Sequence, residues 1–406
     1  MNSFDRKTFA TLSFSVFATV IGVGIVVPLL PIYAHELGAS GLGIGLIFGA
    51  FALSRTLFLP LFGRLSDTKG RRTFIVPGLL LYALISVAFT FSTGVNSLIV
   101  IRLFHGIASA MLMPVIQAYV ADITPPGREG RVMGLYSMFV LFGLSVGPLL
   151  GGLVKDLFGL QSSFLAMGLF ALVGFVMCVT WLPPVRSEPA ASETRRPIPW
   201  RELLADRTIA GLFVVRFAYG VCIGIIWGFV PLYASIEFPL SGASIGALIT
   251  IGIVVSGSLN APMGYLADRI DKRLMIAAGG LLAGYAMLSF QWATNYTDMV
   301  VASVLFGLGG GTGMPAVMAM ATRRGQGSDA MGSVMALMTM AHSLGMLTGA
   351  LLGGLMMDLF ELRFVFPAGS IALVAGVIAF VLLTLRSGSI AGPARDERLT
   401  PPVRGG

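Results

Sequence analysis

Five ionisable side chains lie inside long apolar runs of this sequence: Arg55, Arg102, His105, Arg216 and His342. A charge at membrane depth is costly, and a chain that keeps one uses it for a substrate or ion pathway or a proton relay. Arg102 and His105 are three residues apart and so share a helix face. Gln117 and Asn260 add neutral hydrogen-bonding groups. None of the 19 Asp and Glu residues joins them, since all fall at run ends, in connections or in the tails. The apolar interior is therefore cationic. Three chemistries fit that inventory. An imidazole of His105 or His342, which titrates near neutrality, carries a proton. An acid at a run end, such as Glu36 or Asp122, carries it instead. Or the arginines bind an anionic substrate through charge-assisted hydrogen bonds.

The runs that hold these groups number twelve, at about 8–33, 43–63, 74–93, 97–121, 130–154, 162–182, 208–235, 243–266, 273–293, 297–321, 329–357 and 363–386. Each is long enough to cross a bilayer core as a helix, which takes about 20 residues. Hydrophobic residues make up 56% of the chain and charged residues 11%, against about 25% charged in average soluble domains. The expected fold class is an all-α membrane protein. Glycine is abundant, 52 of 406 residues, as suits helices that pack backbone to backbone in lipid. Cys178 and Cys222 lie inside apolar runs, so no disulfide framework is expected. Arg6 and Lys7 lead straight into a full-length run without a cleavage pattern, so the first span is expected to remain as an anchor.

Of the 27 Lys and Arg, Arg55, Arg102 and Arg216 fall inside runs and Lys155 and Arg363 in odd-numbered connections; the rest lie in the termini and even-numbered connections. The positive-inside rule places those segments, and both termini, in the cytoplasm of a cell (inner) membrane protein. The net charge of +8 then reflects topology and not a nucleic-acid partner. Residues 183–206, PPVRSEPAASETRRPIPWRELLADR in their setting, read as a cytoplasmic linker whose end forms a short amphipathic turn. Residues 387–406 read as a disordered tail.

The linker separates two copies of one pattern. GIVVPLLPIYA at Gly24 returns as GIIWGFVPLYA at Gly224, GRLSDTKGRR at Gly63 as GYLADRIDKR at Gly264, and GPLLGGLVKDLF at Gly147 as GALLGGLMMDLF at Gly349. The offsets are 200, 201 and 202. Two six-helix bundles, 1–182 and 207–386, are expected to be related by a pseudo-two-fold axis along the membrane normal, with a site between them.

These motifs resemble the major facilitator superfamily, and within it the twelve-span drug:proton antiporters of the tetracycline-efflux kind. GRLSDTKGRR matches the loop signature between the second and third spans. RLFHGIASA, from Arg102, matches the fourth-span pattern, and GLSVGPLLGG, Gly143–Gly152, the fifth-span signature of exporters. The resemblance implies a cytoplasmic latch of Gly63, Asp67, Gly70, Arg71 and Asp122, with Asp67 against the N-terminus of the eleventh span in the outward-facing state. Asp268 is its second-copy counterpart, where Asp271 replaces the later glycine. It gives Gly143, Gly147, Pro148, Gly151 and Gly152 a packing role in a helix that must rock. It places Arg102 at the proton-linked position. Many relatives keep an acid in the first span, and alignment on GVG puts Thr19 there instead.

The expected function is alternating-access export of amphipathic drugs or metabolites, coupled to a proton or another ion. The cavity is expected to draw on Arg55, Arg102, His105, Gln117, Arg216, Tyr219, Trp227, Asn260 and His342. Phe17, Tyr33 and Phe229, with Met314, Met318, Met335 and Met338, offer aromatic and methionine surface for broad apolar ligands. An organic-anion carrier is the alternative. No nucleotide motif such as GxxxxGK[ST] occurs, and no pair of acids or Ser–Lys couple lies at membrane depth. An enzyme, a cofactor and a metal are not expected, and the internal two-fold lets a monomer suffice.

Overall fold

A computed structural model of the chain describes residues 3–125, 128–183, 200–327 and 331–385. Most of the expected linker and the whole expected tail lie outside these residues. The described chain forms α1 (Ser3–Glu36), α2 (Gly41–Lys69), α3 (Arg72–Thr90), α4 (Val95–Asp122), α5 (Glu129–Phe158), α6 (Leu160–Trp181), a short α7 (Trp200–Ala205), α8 (Arg207–Glu237), α9 (Gly242–Ala267), α10 (Lys272–Ser289), α11 (Tyr296–Gly327), α12 (Met331–Leu359) and α13 (Val365–Leu385). All but α7 are long and apolar enough to cross a membrane, which makes twelve spans. Several overrun their apolar runs, because polar residues at the ends extend a helix into water without losing its backbone bonds. Prolines remain inside the spans, Pro28, Pro31, Pro60, Pro114, Pro148 and Pro231 among them. Neighbouring helices make that tolerable.

Local chemistry starts the helices where the chain turns. Ser40, Asp206, Ser241 and Asp271 each accept backbone N–H bonds at the start of α2, α8, α9 and α10. The repeat solves one turn in two ways. Gly70 adopts φ 89° after α2, a region that favours glycine, whereas its counterpart Asp271 stays extended and caps α10 with its carboxylate.

The six-helix halves use the same pairings. α1 packs on α5 and α6, α2 on α4, and α3 on α6; in the second half α8 packs on α12 and α13, α9 on α11, and α10 on α13. Across the seam α2 meets α12, α5 meets α9, and α1 meets α8. Small residues make these approaches possible. A Cβ at Gly147 would lie 2.7 Å from Gly24 Cα, and Gly143 and Gly151 press equally on α1. The echo in α12 does the same, with Gly345 and Gly349 against the α8 backbone. Gly152 and Pro148 instead face α9 across the seam, where Gly242 and Gly246 leave no room for a side chain.

The seam is closed at the end where α1 finishes and α2 begins, here the distal end. The Asp358 carboxylate, near the end of α12, accepts from Gly41 N at 2.6 Å and Leu42 N at 2.8 Å, the first residues of α2. Its repeat partner Asp156, near the end of α5, accepts from Gly242 N and Ala243 N, both at 2.8 Å, at the start of α9. Thr250 Oγ1 adds a bond to Ser145 O at 2.7 Å farther along the same seam. Each carboxylate thus answers the unpaired N–H groups and the partial positive charge of a helix start in the opposite half. Toward the other, proximal end, Gly63, Gly134, Gly264 and Gly332 on the four seam helices meet no atom of another element within 4 Å of where a Cβ would sit. Among the described residues, the hydrogen bonds that cross the seam lie toward the distal end, and the proximal ends of the seam helices lack such close glycine contacts.

Two outcomes follow for the seam. Removing a helix-start acceptor costs about 0.5–2 kcal/mol, so Asp156→Ala with Asp358→Ala should loosen the distal end. Maleimide labelling of Leu351→Cys, a position that packs over Gly49, should then speed up severalfold; unchanged labelling sinks the clamp. Gly246→Val, whose side chain meets Pro148 O, should raise the same labelling without touching either carboxylate.

Candidate functional site

Along α8, Arg216, Tyr219, Ile223, Ile226 and Trp227 recur at three- and four-residue steps and form one stripe. That stripe is a wall of a cavity of about 360 Å³. A stripe of α9 that includes Gly252, Ser256, Gly257 and Asn260 makes the second wall, and Ser303, Phe306, Gly307 and Met314 of α11 the third. Leu141 and Leu144 of α5 close it from the other half, and His342 of α12 completes it. Tyr219 stacks on Phe306 with ring centroids 5.5 Å apart and planes 10° apart. Gly310 clears the space that the Tyr219 hydroxyl occupies.

The polar groups of this cavity are poorly matched. Arg216 Nη1 reaches only Met314 Sδ, at 3.1 Å, and a thioether is a weak acceptor. Arg216 Nε and His342 Nδ1 are buried without a hydrogen-bond partner. Arg216 and Arg55 both lie within electrostatic reach of His342. Among the described residues, no Asp or Glu lines the cavity.

Of the residues expected at the site, Arg216, Tyr219, Trp227, Asn260 and His342 come together here. Arg55, Arg102, His105 and Gln117 do not line this cavity. Gln117 is exposed on α4. Arg55 stands on α2 with its Nε unpartnered. Of the methionines and aromatics, Met314 joins the lining, whereas Phe229 is fully buried against Gly353 and Tyr33 bonds Ser92 O at 3.0 Å.

Arg102 and His105 belong to a separate packed cluster in the first half. Arg102 is 3% exposed. Its Nε donates to Ile47 O at 3.3 Å, its Nη1 lies 3.2 Å from His105 Nδ1, and its guanidinium sits 4.3 Å from the Phe51 ring centre. Tyr82 packs edge-on against His105 at 4.7 Å and donates to Thr19 O at 3.0 Å. Thr19 turns its own hydroxyl to Ser15 O at 2.8 Å.

At the proximal face the loop after α2 forms an internal network. Arg71 donates to Ser66 Oγ at 2.7 Å and to Asp122 Oδ2 at 3.0 Å, and pairs with Asp67. Asp67 remains largely exposed and stays within its own half. Asp268 is exposed at the end of α9. On the second half Asp206 caps α8 and pairs with Arg324 at 3.1 Å. Sequence reasoning missed the two clamping carboxylates, although the quoted repeats GPLLGGLVKDLF and GALLGGLMMDLF both contain them. It also missed Phe306 and Ser256, which nothing but three-dimensional packing brings to the cavity.

Comparison with known proteins agrees with this architecture. The family model described as Major Facilitator Superfamily matches residues 12–241 and 212–405. An uncharacterized MFS-type transporter of Methanocaldococcus jannaschii is 26% identical over 94% of this chain and 99% of its own length. Multidrug resistance protein 2 of Bacillus subtilis is 27% identical over 87% of this chain and 90% of its own. Among solved structures, a bacterial homolog of the human lysosomal transporter Spinster, inward-facing and occupied, superposes with a TM-score of 0.83 at 16% identity, covering 97% of this chain and all of that one. The chain belongs to the major facilitator superfamily: it is a twelve-span membrane transporter of small molecules and not an enzyme.

Proposed function

We propose that this transporter exports amphipathic small molecules by alternating access, powered by the proton-motive force. The observation that carries the reading is the cavity at the seam, lined by aromatic and aliphatic side chains around a few polar groups, in a molecule whose cross-seam hydrogen bonds lie toward the distal end. Its volume of about 360 Å³ lies within the usual range for small-molecule sites. The basic residues put the termini in the cytoplasm, so this conformer opens inward. The similarity to a relative named Multidrug resistance protein 2 supports the export direction. In the outward-facing state Asp67 turns from Arg71 to the start of α12, and the distal carboxylates release theirs. One chain contains the cavity and both clamps, so a monomer is the working unit.

An organic-anion carrier is the second reading, favoured by a lining that holds Arg216 and His342 but no acid.

Cells that express the chain should accumulate less of at least one dye from a panel of cationic, neutral and anionic fluorophores. A protonophore should restore accumulation. Trp227→Ala, made at equal protein level, should weaken export about fivefold or more, since a lost aromatic contact is worth about 1 kcal/mol or more. Unchanged accumulation across the whole panel rules export out.

A further inference from the structure

Two arginines at membrane depth are housed in opposite ways. Arg102 is closed off: a carbonyl, an imidazole and two aromatic rings surround it. Arg216 has a thioether at one Nη, no partner at Nε and a cavity in front of it. Arg55 adds to the positive field there, since its charge as well as that of Arg216 is felt at His342. A cation without a counter-charge is expensive to bury, and a well-packed apolar residue would serve a purely structural role better. Arg216 therefore holds an unmet valence directed at whatever enters the cavity.

We propose that the Arg216 pole is a carboxylate site and that the cargo is an amphipathic organic anion. This rests on the reading of the cavity as the cargo site. The guanidinium fork takes a carboxylate's two oxygens in one plane. Asn260 and Ser256, on the facing wall, supply further donors. Trp227, Tyr219 and Phe306 take the apolar body. The assignment also accounts for the lining's lack of an acid, because the cargo brings the negative charge itself. A monovalent anion leaving a cell that is negative inside gains about 50-fold per 100 mV from the electrical part of the proton-motive force. Such export requires no titratable carboxylate in the lining.

The test uses the full chain in lipid nanodiscs and three probes that share one ring system: 1-naphthaleneacetate, 1-naphthaleneacetamide and 2-(1-naphthyl)ethylamine. Quenching of tryptophan fluorescence should show the acetate binding at least about tenfold more tightly than the amide or the amine, the scale of one charge-assisted contact. Arg216→Gln should erase that preference, and Arg216→Lys should keep part of it. The ligand-free Arg216→Gln protein should melt no lower than the parent, because no partner is stranded; a structural pairing would lower it. An amide or amine within twofold of the acetate overturns the anion assignment, as does a preference that survives in Arg216→Gln. If the amine also displaces an exported dye, export stands and the anion assignment alone falls. If none of the three binds, the cavity is not the cargo site and both readings fall.

Discussion

Every helix that starts at a closed seam presents backbone N–H groups that nothing in its own helix can satisfy. At the partly exposed outer edge of the seam, another chain segment meets them. Here α2 and α9 are met by carboxylates borrowed from α12 and α5 of the opposite halves. The glycines around them follow from the same requirement: carboxylate and helix start come this close because Gly41, Gly152, Gly242 and Gly354 carry no side chain. The network at Arg71, by contrast, stays within the first half.

Much of the architecture was legible in the sequence. Twelve apolar runs, the placement of Lys and Arg and three ordered echoes carried the spans, the duplication and the family resemblance. Those signals are periodic or compositional, and lipid enforces them strongly. The pairing of Arg71 with Asp67 and Asp122 was also readable, since the first is a one-turn neighbour and the second sits at a span end.

The site was only partly legible. Arg55, Arg102 and Arg216 look alike as residues in apolar runs. What separates Arg102 from Arg216 is whether neighbouring helices offer carbonyls and rings or a thioether and open space. That depends on helix rotation, which composition does not encode. The clamping Asp156 and Asp358 sat in plain view inside a quoted repeat, yet their partners lie 86 and 317 residues away. The two halves have also diverged within a shared frame: Tyr82, His105 and Phe51 pack together in the first, whereas the second turns Arg216, Tyr219 and Trp227 to the seam cavity.

The paired fastenings have a mechanical corollary. Two anchoring points on a rigid body define a line, and rotation about that line is the single motion that leaves both in place. While Asp156 and Asp358 hold their amides, the lobes can swing like a book on its spine but can neither slide nor twist past one another. Two pairs of hydrogen bonds thereby set the axis about which the lobes are free to turn.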